Sequence, residues 1–365
     1  MKIFWLSIVL CLSVGVAYGD EQADQERRVT DDGVIHVPAF DLPFSDLATQ
    51  EAKAAFVRMA RLPPPTFSMS ADATVEQERK LMDEHYYAPL IEAAYERYPV
   101  DMTVETIGGV YTQVFVPKDG IASENTKRLL INLHGGGFYL GARTSSQIES
   151  VPLASVGRIK VVSIDYRLAP EHRFPAASED VAAVYRELIK SYRPENIAIY
   201  GCSAGGALVG QALAWFEKEE LPMPAAAGIF CSSTQGMSSG DSKFTTPHFG
   251  GMLPSTPPKW VLAYTEGEDP RNPLIAPSAS PAVLAEFPPT LFVTGSRAAE
   301  MSSAARSAID LMKVGVDAQL LIWDGLDHGF FYNPDLPESH EAYDLMTKFF
   351  QKHFERADNT GSRNN

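Results

Sequence analysis

A serine within a glycine-rich pentapeptide is the first candidate for chemistry in this sequence. Residues 201–205 read Gly-Cys-Ser-Ala-Gly, a G-x-S-x-G pattern centred on Ser203. An apolar run at 197–200 precedes the pattern and a helical period at 204–218 follows it, which predicts a sharp turn from a strand into a helix. Such a turn exposes the hydroxyl at a helix N-terminus, where negative charge is stabilised. This context favours a nucleophilic serine over a structural glycine-rich turn.

A second glycine cluster could stabilise the negative charge that such a serine generates. Residues 134–138 read His-Gly-Gly-Gly-Phe after an apolar run. A phosphate-binding loop is disfavoured, because Leu140 fills the last position of G-x-G-x-x-G and no P-loop lysine follows. Backbone N–H groups without side chains can approach an oxyanion closely. We predict the N–H groups of Gly135, Gly136 and Ala204 as donors, although the sequence does not decide which two glycines of the cluster point inward.

His328 is the predicted base for the serine. It is one of eight histidines and lies in residues 324–330, directly after the last predicted strand. An α/β-hydrolase places its base there, in the chain order serine, acid, histidine. A lone histidine in a loop is commonly a solvated bystander, but position and order together favour the catalytic role.

The elements that must position these residues follow an alternating pattern. Seven apolar runs predict strands, and several are apolar throughout: 110–116, 129–133, 161–164, 197–200, 225–230, 291–294 and 319–323. Helical periods separate or follow most of them, at 176–192, 204–218, 301–314 and 338–354. This alternation indicates a mostly parallel sheet covered on both faces. Two helical stretches, 46–61 and 73–98, precede the sheet, and segments 236–259 and 267–289 are predicted as long loops.

Three motifs together give a resemblance to a known family. Residues 134–138 (HGGGF), 165–171 (DYRLAPE) and 201–206 (GCSAGG) occur in this order. In these motifs the sequence resembles the bacterial esterase branch of the hormone-sensitive-lipase family of α/β-hydrolases, in outline from about residue 104 to 354. The resemblance implies a mostly parallel eight-stranded sheet, a helical cap built from the N-terminal region, and hydrolysis of short- to medium-chain carboxylic esters. It also implies a structural role for 165–171.

The acid that should orient His328 departs from the pattern of this family. The family places it after the seventh strand within a pattern resembling G-x-x-D, and here Ala298 occupies the aspartate position. We predict that Glu300, the nearest carboxylate, is the partner of His328, because its longer side chain recovers part of the distance. Alternatively, Glu300 only caps the helix that follows it. The acid would then be sought among three aspartates: Asp324, Asp327 and Asp269.

The N-terminal residues predict export. Lys2, an apolar stretch of about 15 residues and the small residues Ala17-Tyr18-Gly19 are typical of a secretory signal peptide cut before Asp20. The apolar stretch is shorter than the roughly 20 residues that span a bilayer, so no stable membrane span is expected. The predicted organisation has five parts: 1–19 signal peptide, 20–45 polar arm, 46–103 helical cap, 104–355 catalytic domain and 356–365 disordered tail. The expected location is the periplasm or the medium.

Composition and charge exclude several classes of function. Lys and Arg total 31 against 46 Asp and Glu, a net charge of −15, so nucleic-acid binding would need a local basic patch that the sequence lacks. No H-E-x-x-H or C-x-x-C motif is present, and neither a metal nor a cofactor is predicted. Cys202 and Cys231 could form one disulfide in an oxidising compartment, but two small buried apolar side chains are favoured. A homodimer is one possibility.

These observations lead to one function and two alternatives. The leading hypothesis is an exported serine carboxylesterase that acts on a small-molecule ester through an acyl-enzyme intermediate. One alternative is a non-catalytic small-molecule receptor on the same fold, which the presence of His328 disfavours and Ala298 keeps open. The other is hydrolysis of lactones or amides at the same site, because the oxyanion chemistry is shared.

Overall fold

The computed structural model of the chain describes residues 27–61, 73–236, 238–249 and 263–361. Its contacts divide the chain into two units, with the boundary between Pro43 and Phe44. The first unit contains a short antiparallel pair, β1 (Arg28–Val29) with β2 (Ile35–His36). The predicted signal peptide, residues 1–19, lies outside the described residues.

The second unit is built on one eight-stranded sheet with the order β10-β9-β8-β7-β5-β6-β4-β3. The strands are β3 (Val100–Ile107), β4 (Val110–Pro117), β5 (Leu129–Leu133), β6 (Lys160–Ile164), β7 (Ile197–Cys202), β8 (Ala226–Phe230), β9 (Thr290–Gly295) and β10 (Ala318–Trp323). Only the pairs β3–β4 and β4–β6 are antiparallel. The predicted mostly parallel α/β-hydrolase sheet is confirmed.

Helices cover both faces of this sheet. They are α1 (Gln50–Arg61), α2 (Val75–Met82), α3 (Ala88–Arg97), α4 (Ser145–Gly157), α5 (Ala176–Leu188), α6 (Ala204–Lys218), α7 (Ser242–Phe249), α8 (Pro281–Ala285), α9 (Met301–Lys313) and α10 (Pro337–Gly361). A π-helical turn, Asp83–Tyr87, joins α2 to α3. One buried cluster packs α5, α6 and α9 against the sheet, and a second packs α1, α3, α4 and α10. Within the described ranges, no helix combines the length and apolarity needed to cross a bilayer.

The structure adds elements that the hydrophobic pattern did not predict. Strand β3 was missed because six consecutive residues in it are exposed, so it lacks an apolar run, and the predicted domain boundary after residue 103 falls inside it. Helix α4 was missed because it is buried on nearly every side and therefore has no amphipathic period. Helix α7 lies in a segment predicted as a loop. The predicted disordered tail, residues 356–365, overlaps α10, which extends to Gly361.

The register of the parallel strands brings the loops that follow them to one edge of the sheet. Leu133 pairs with Gly201, Cys202 with Phe230, and Gly295 with Trp323. The loops that follow β5, β7, β8, β9 and β10 therefore leave the sheet side by side at its carboxyl edge. Ligands of open α/β sheets bind at this edge.

Candidate active site

Ser203 sits on a strained turn between β7 and α6. Its backbone has φ 58° and ψ −122°, a conformation that ordinary residues rarely adopt. The flanking glycines are required by crowding: a Cβ on Gly201 would lie 2.3 Å from the carbonyl oxygen of Leu133, and one on Gly205 would lie 1.9 Å from the same atom. The turn therefore holds the serine at the first turn of α6, with its backbone N–H donated to the carbonyl of Phe230 at 2.9 Å.

The loop after β5 carries the three consecutive glycines. The first residue of the loop, His134, is buried, and its ring stacks on that of Tyr166 at a centroid distance of 4.3 Å. This stacking packs the start of the loop against the segment that follows β6. Gly136 and Gly137 have positive φ values of 119° and 61°. A Cβ on Gly136 would lie 2.3 Å from the carbonyl oxygen of Leu140, so the chain turns back on itself there.

The structure corrects the assignment of Gly135 as an oxyanion donor. Its N–H is donated to Oε1 of Glu149 at 2.7 Å, so it is not available to a substrate. In the described part of the chain, the N–H groups of Gly136, Gly137 and Ala204 are donated to no protein group. The N–H of Ala204 belongs to the first turn of α6, where no intrahelical acceptor exists. The donors that remain for an oxyanion are therefore these three.

The predicted acid and the predicted base meet between the loops after β9 and β10. Oε1 of Glu300 lies 3.0 Å from Nδ1 of His328, and the same oxygen accepts the hydroxyl of Thr294 at 3.2 Å. Glu300 is only 5% exposed, whereas the side chain of His328 is 43% exposed. The backbone of Glu300 begins α9, but its side chain makes no capping hydrogen bond, contrary to the alternative considered from the sequence.

The aspartates considered as alternatives do not replace Glu300. Asp324 accepts the hydroxyl of Ser45, and Asp269 pairs with Arg271 at 3.3 Å. Burial raises the pKa of Asp327, which makes no hydrogen bond to the imidazole. Glu300 is therefore the carboxylate that contacts Nδ1.

The acid and the base shift each other's titration in opposite directions. Burial acts to raise the pKa of Glu300, but the positive charge of His328 and the hydrogen bond to it prevail, and the pKa is lowered. Burial acts to lower the pKa of His328, but the charge of Glu300 and the hydrogen bond prevail, and the pKa is raised. The pair thus stabilises an imidazolium facing a carboxylate, the charge state that forms when a histidine accepts a proton.

The end of β8 connects the serine to the histidine. Besides the Ser203 N–H bond to Phe230, the N–H of Gly329 is donated to Sγ of Cys231 at 3.2 Å. The residue after the histidine and the serine itself are therefore anchored on adjacent residues of one strand end. In the strand order, the serine loop follows β7 on one side of β8, and the histidine loop follows β10 on the other side.

The two cysteines of the described chain are free and buried. Donor atoms of Cys231, Glu300 and His328 all lie within 4.8 Å of one another, which is the one grouping among the described residues that could hold a metal ion. In this grouping the carboxylate and the imidazole already bond each other. We therefore assign them to an acid–base pair.

Sequence reasoning missed two residues of this site. Gly137 was inside the recognised motif, but the motif does not show which peptide turns inward. Glu149 lies in α4, a helix that was not predicted, and its carboxylate accepts the hydroxyl of Tyr332 at 2.7 Å as well as the N–H of Gly135. A glutamate among apolar and small residues was the only signal that could have found it.

Comparison with known proteins agrees with this architecture. A family model described as the alpha/beta hydrolase fold matches residues 130–332. An acetyl-hydrolase of Streptomyces hygroscopicus is 31% identical over 228 residues, which cover 61% of this chain and 75% of that protein. A crystal structure of an esterase superposes with a TM-score of 0.77 at 26% identity, covering 87% of this chain and 98% of that chain. A solved esterase from the bacterial hormone-sensitive lipase family gives 0.70 at 25% identity, covering 84% and 99%.

The fold and its carboxyl edge define an α/β-hydrolase. The chain belongs to the hormone-sensitive-lipase family of these proteins and is a hydrolase that acts on ester bonds. The resemblance inferred from the three motifs is thereby confirmed.

Proposed function

We propose that this protein is a serine carboxylesterase that hydrolyses short- to medium-chain esters through an acyl-enzyme intermediate. The observation that carries the proposal is the 3.0 Å contact between Glu300 and Nδ1 of His328, on a loop anchored to the same strand end as the strained Ser203. A nucleophile, a base and an orienting acid are the three parts that acyl transfer needs.

In the proposed reaction, Nε2 of His328 accepts the hydroxyl proton of Ser203 while Oγ attacks the ester carbonyl carbon. The carbonyl oxygen becomes an oxyanion, which the N–H groups of Gly136, Gly137 and Ala204 stabilise. Glu300 holds the proton on Nδ1 and balances the imidazolium. The imidazolium then protonates the leaving alkoxide, the C–O bond breaks, and the acyl group stays on Ser203.

Water completes the second half of the reaction. His328 accepts a proton from water as its oxygen attacks the acyl-enzyme, and the imidazolium returns the proton to Oγ of Ser203 when the carboxylic acid leaves. Short acyl groups are supported by the similarity to an acetyl-hydrolase. A non-catalytic receptor is disfavoured, because a binding site alone would not need a histidine paired with a buried carboxylate.

The helices before the sheet are proposed to form a cap beside this site. Arg79 of α2 donates to the carbonyl oxygens of Tyr139 at 2.7 Å and Ala169 at 2.8 Å. Asp83, in the π-helical turn, accepts the hydroxyl of Thr144 at 2.8 Å. These contacts fasten α2 and the π-helical turn to the segment that follows the glycine loop and to Ala169 after β6, where the cap would border the bound ester.

The proposed chemistry is tested by p-nitrophenyl esters of increasing acyl length. Ser203→Ala should abolish hydrolysis and labelling by a fluorophosphonate, while Ser191→Ala, an exposed loop serine, should retain both. Mass spectrometry should locate the phosphonyl adduct on the peptide that contains Ser203. A folded Ser203→Ala variant that still cleaves the esters at the wild-type rate would refute the proposal.

Export is part of the proposal and has its own test. The signal-like composition of residues 1–19 supports a mature chain that begins at or near Asp20. N-terminal sequencing of the protein expressed in a Gram-negative host should find this terminus in the periplasm or the medium. Full-length protein that keeps Met1 and accumulates in the cytoplasm would contradict it.

A further inference from the structure

Glu149 is a buried acid that the proposed reaction does not use. It lies on α4 and is 3% exposed. Taking a carboxylate out of water is costly unless hydrogen bonds compensate it. Burial raises the pKa of Glu149 to about 7, although every hydrogen bond to it acts in the opposite direction. The place of this side chain in the fold therefore depends on the hydrogen bonds that compensate its burial.

Four donors converge on this carboxylate. Oε1 accepts the N–H of Gly135 at 2.7 Å, the hydroxyl of Tyr332 at 2.7 Å and the hydroxyl of Ser145 at 3.1 Å. Oε2 accepts the side-chain amide of Asn132 at 2.9 Å. The carboxylate is therefore fully hydrogen-bonded and held in one orientation.

Two of these donors belong to different catalytic loops. Gly135 precedes Gly136 and Gly137, whose N–H groups face no protein acceptor. Tyr332 ends the short 3₁₀ turn that follows His328. A Cβ on Gly135 would lie 3.1 Å from Oε1 of Glu149 and 3.3 Å from the hydroxyl of Tyr332, so the loops meet in close contact at the carboxylate.

We propose that Glu149 is a positioning residue for ester hydrolysis, whose carboxylate fixes the oxyanion loop through Gly135 and the histidine loop through Tyr332. The hydrogen bond from the Gly135 N–H fixes the first peptide plane of the glycine loop. It thereby fixes the directions of the next two N–H groups, those of Gly136 and Gly137. Accepting the Tyr332 hydroxyl ties the loop of the base to the same atom. The inference rests on the proposed function, because it assigns Glu149 to support of the donors and the base.

The test replaces the carboxylate by an amide and removes each contact in turn. In Glu149→Gln an NH2 group replaces one carboxylate oxygen. If that NH2 faces the side-chain NH2 of Asn132, two donors meet, so at least one of the four contacts is lost. Tyr332→Phe removes the bond between Glu149 and the histidine loop, and with it the contact of the same hydroxyl with Cys202. Glu338→Gln is the matched control, because Glu338 is 7% exposed and its carboxylate accepts the N–H and the hydroxyl of Thr49 instead of donors from the glycine and histidine loops.

The measurements are kcat and KM for p-nitrophenyl butyrate, normalised to the fraction that a fluorophosphonate labels, and the inhibition constant of a trifluoromethyl ketone. The ketone forms a hemiketal whose oxyanion needs the same donors as the ester. We expect Glu149→Gln to lower kcat by at least about tenfold and to weaken ketone inhibition by a similar factor, with KM within about twofold. Tyr332→Phe should give a smaller loss, non-additive with that of Glu149→Gln.

Each outcome has a distinct meaning. A Glu149→Gln protein with a lowered melting temperature but wild-type kcat per labelled site, like Glu338→Gln, would overturn the inference and leave the esterase proposal standing. If Glu149→Gln does not fold, Tyr332→Phe with unchanged kcat and ketone inhibition would overturn it. A wild-type protein that neither hydrolyses the ester nor reacts with the fluorophosphonate would instead refute the proposed function.

Discussion

Replacing Glu300 by glutamine removes the charge opposite His328 while keeping the size of the side chain. The atoms in contact are 3.0 Å apart, which places the centres of the two charges about 4 Å apart. At an effective dielectric constant of about 20, a pair at that separation interacts by about 4 kcal/mol, or about a thousandfold in rate if the imidazolium forms in the transition state. The side chain of His328 is 43% exposed, so solvent screening reduces this figure, and we expect kcat to fall by about 10² to 10³.

The pH profile distinguishes this effect from loss of folding. Because Glu300 raises the pKa of His328, the neutral base forms only at a higher pH than in a free imidazole. Glu300→Gln removes the charge that stabilises the imidazolium, so the pKa of His328 falls. The acidic limb of kcat/KM should therefore move to lower pH, while the plateau drops.

The assay compares pH profiles and melting temperatures of three variants with p-nitrophenyl butyrate. Asp327→Asn removes a neighbouring carboxylate that is not bonded to His328 and should cost less than about tenfold. Ala298→Asp, added to Glu300→Gln, should restore part of the lost kcat if an aspartate can reach Nδ1 from the position used by the family. Near-wild-type kcat in Glu300→Gln, or a larger loss in Asp327→Asn, would refute the assignment of the acid.

Two further predictions concern the scaffold. Gly205→Ala should prevent folding or lower the melting temperature strongly, because its Cβ would lie 1.9 Å from the carbonyl oxygen of Leu133. Gly210→Ala in the same helix is the control: no atom lies closer than 3.7 Å to its Cβ, so the free energy of unfolding should stay unchanged or rise by about 0.5–1 kcal/mol. Equal melting temperatures of the two variants would contradict the crowding argument. Arg79→Leu removes the bonds to Tyr139, Ala169 and Glu171 and should raise KM severalfold with little change in fluorophosphonate labelling, whereas Lys80→Ala on the exposed side of α2 should change neither.

The central strands were predictable because of where they lie. Strands of a parallel sheet are covered on both faces, so each appears as a short run of apolar residues. Leu129–Leu133 was predicted with its observed bounds, and β8 within one residue of its bounds. The edge strand β3 is exposed on both faces along most of its length and carries exposed Met102 and Val104, so its composition does not distinguish it from a loop.

The direction of backbone N–H groups was not predictable. The motif at residues 134–138 indicates an oxyanion loop, yet three consecutive glycines are equivalent in sequence. Which peptide turns inward depends on the Gly135 N–H bond to Glu149, and that residue comes from a helix without an amphipathic period. A contact between a motif and an unpredicted element is available only from the fold.

The position of the acid follows from the distance between two loops. A Cβ on Gly295 would lie 2.1 Å from the carbonyl oxygen of Leu326, so the loops after β9 and β10 touch at their start. From that contact the chain turns through Ala298, which is buried, and begins α9 after Glu300. Catalysis requires a carboxylate oxygen within hydrogen-bond distance of Nδ1, and it does not require a particular residue number.

Glutamate has one more methylene group than aspartate. Although Glu300 lies two residues later than the aspartate of the family pattern, its longer side chain brings Oε1 within 3.0 Å of Nδ1 of His328. The hydroxyl of Thr294, at 3.2 Å, accounts for a second hydrogen bond to the same oxygen and limits the rotation that the longer side chain would otherwise have. Because the loops are held in contact at Gly295, a displaced acid can still orient the base. The missing aspartate at Ala298 therefore does not by itself indicate loss of catalysis.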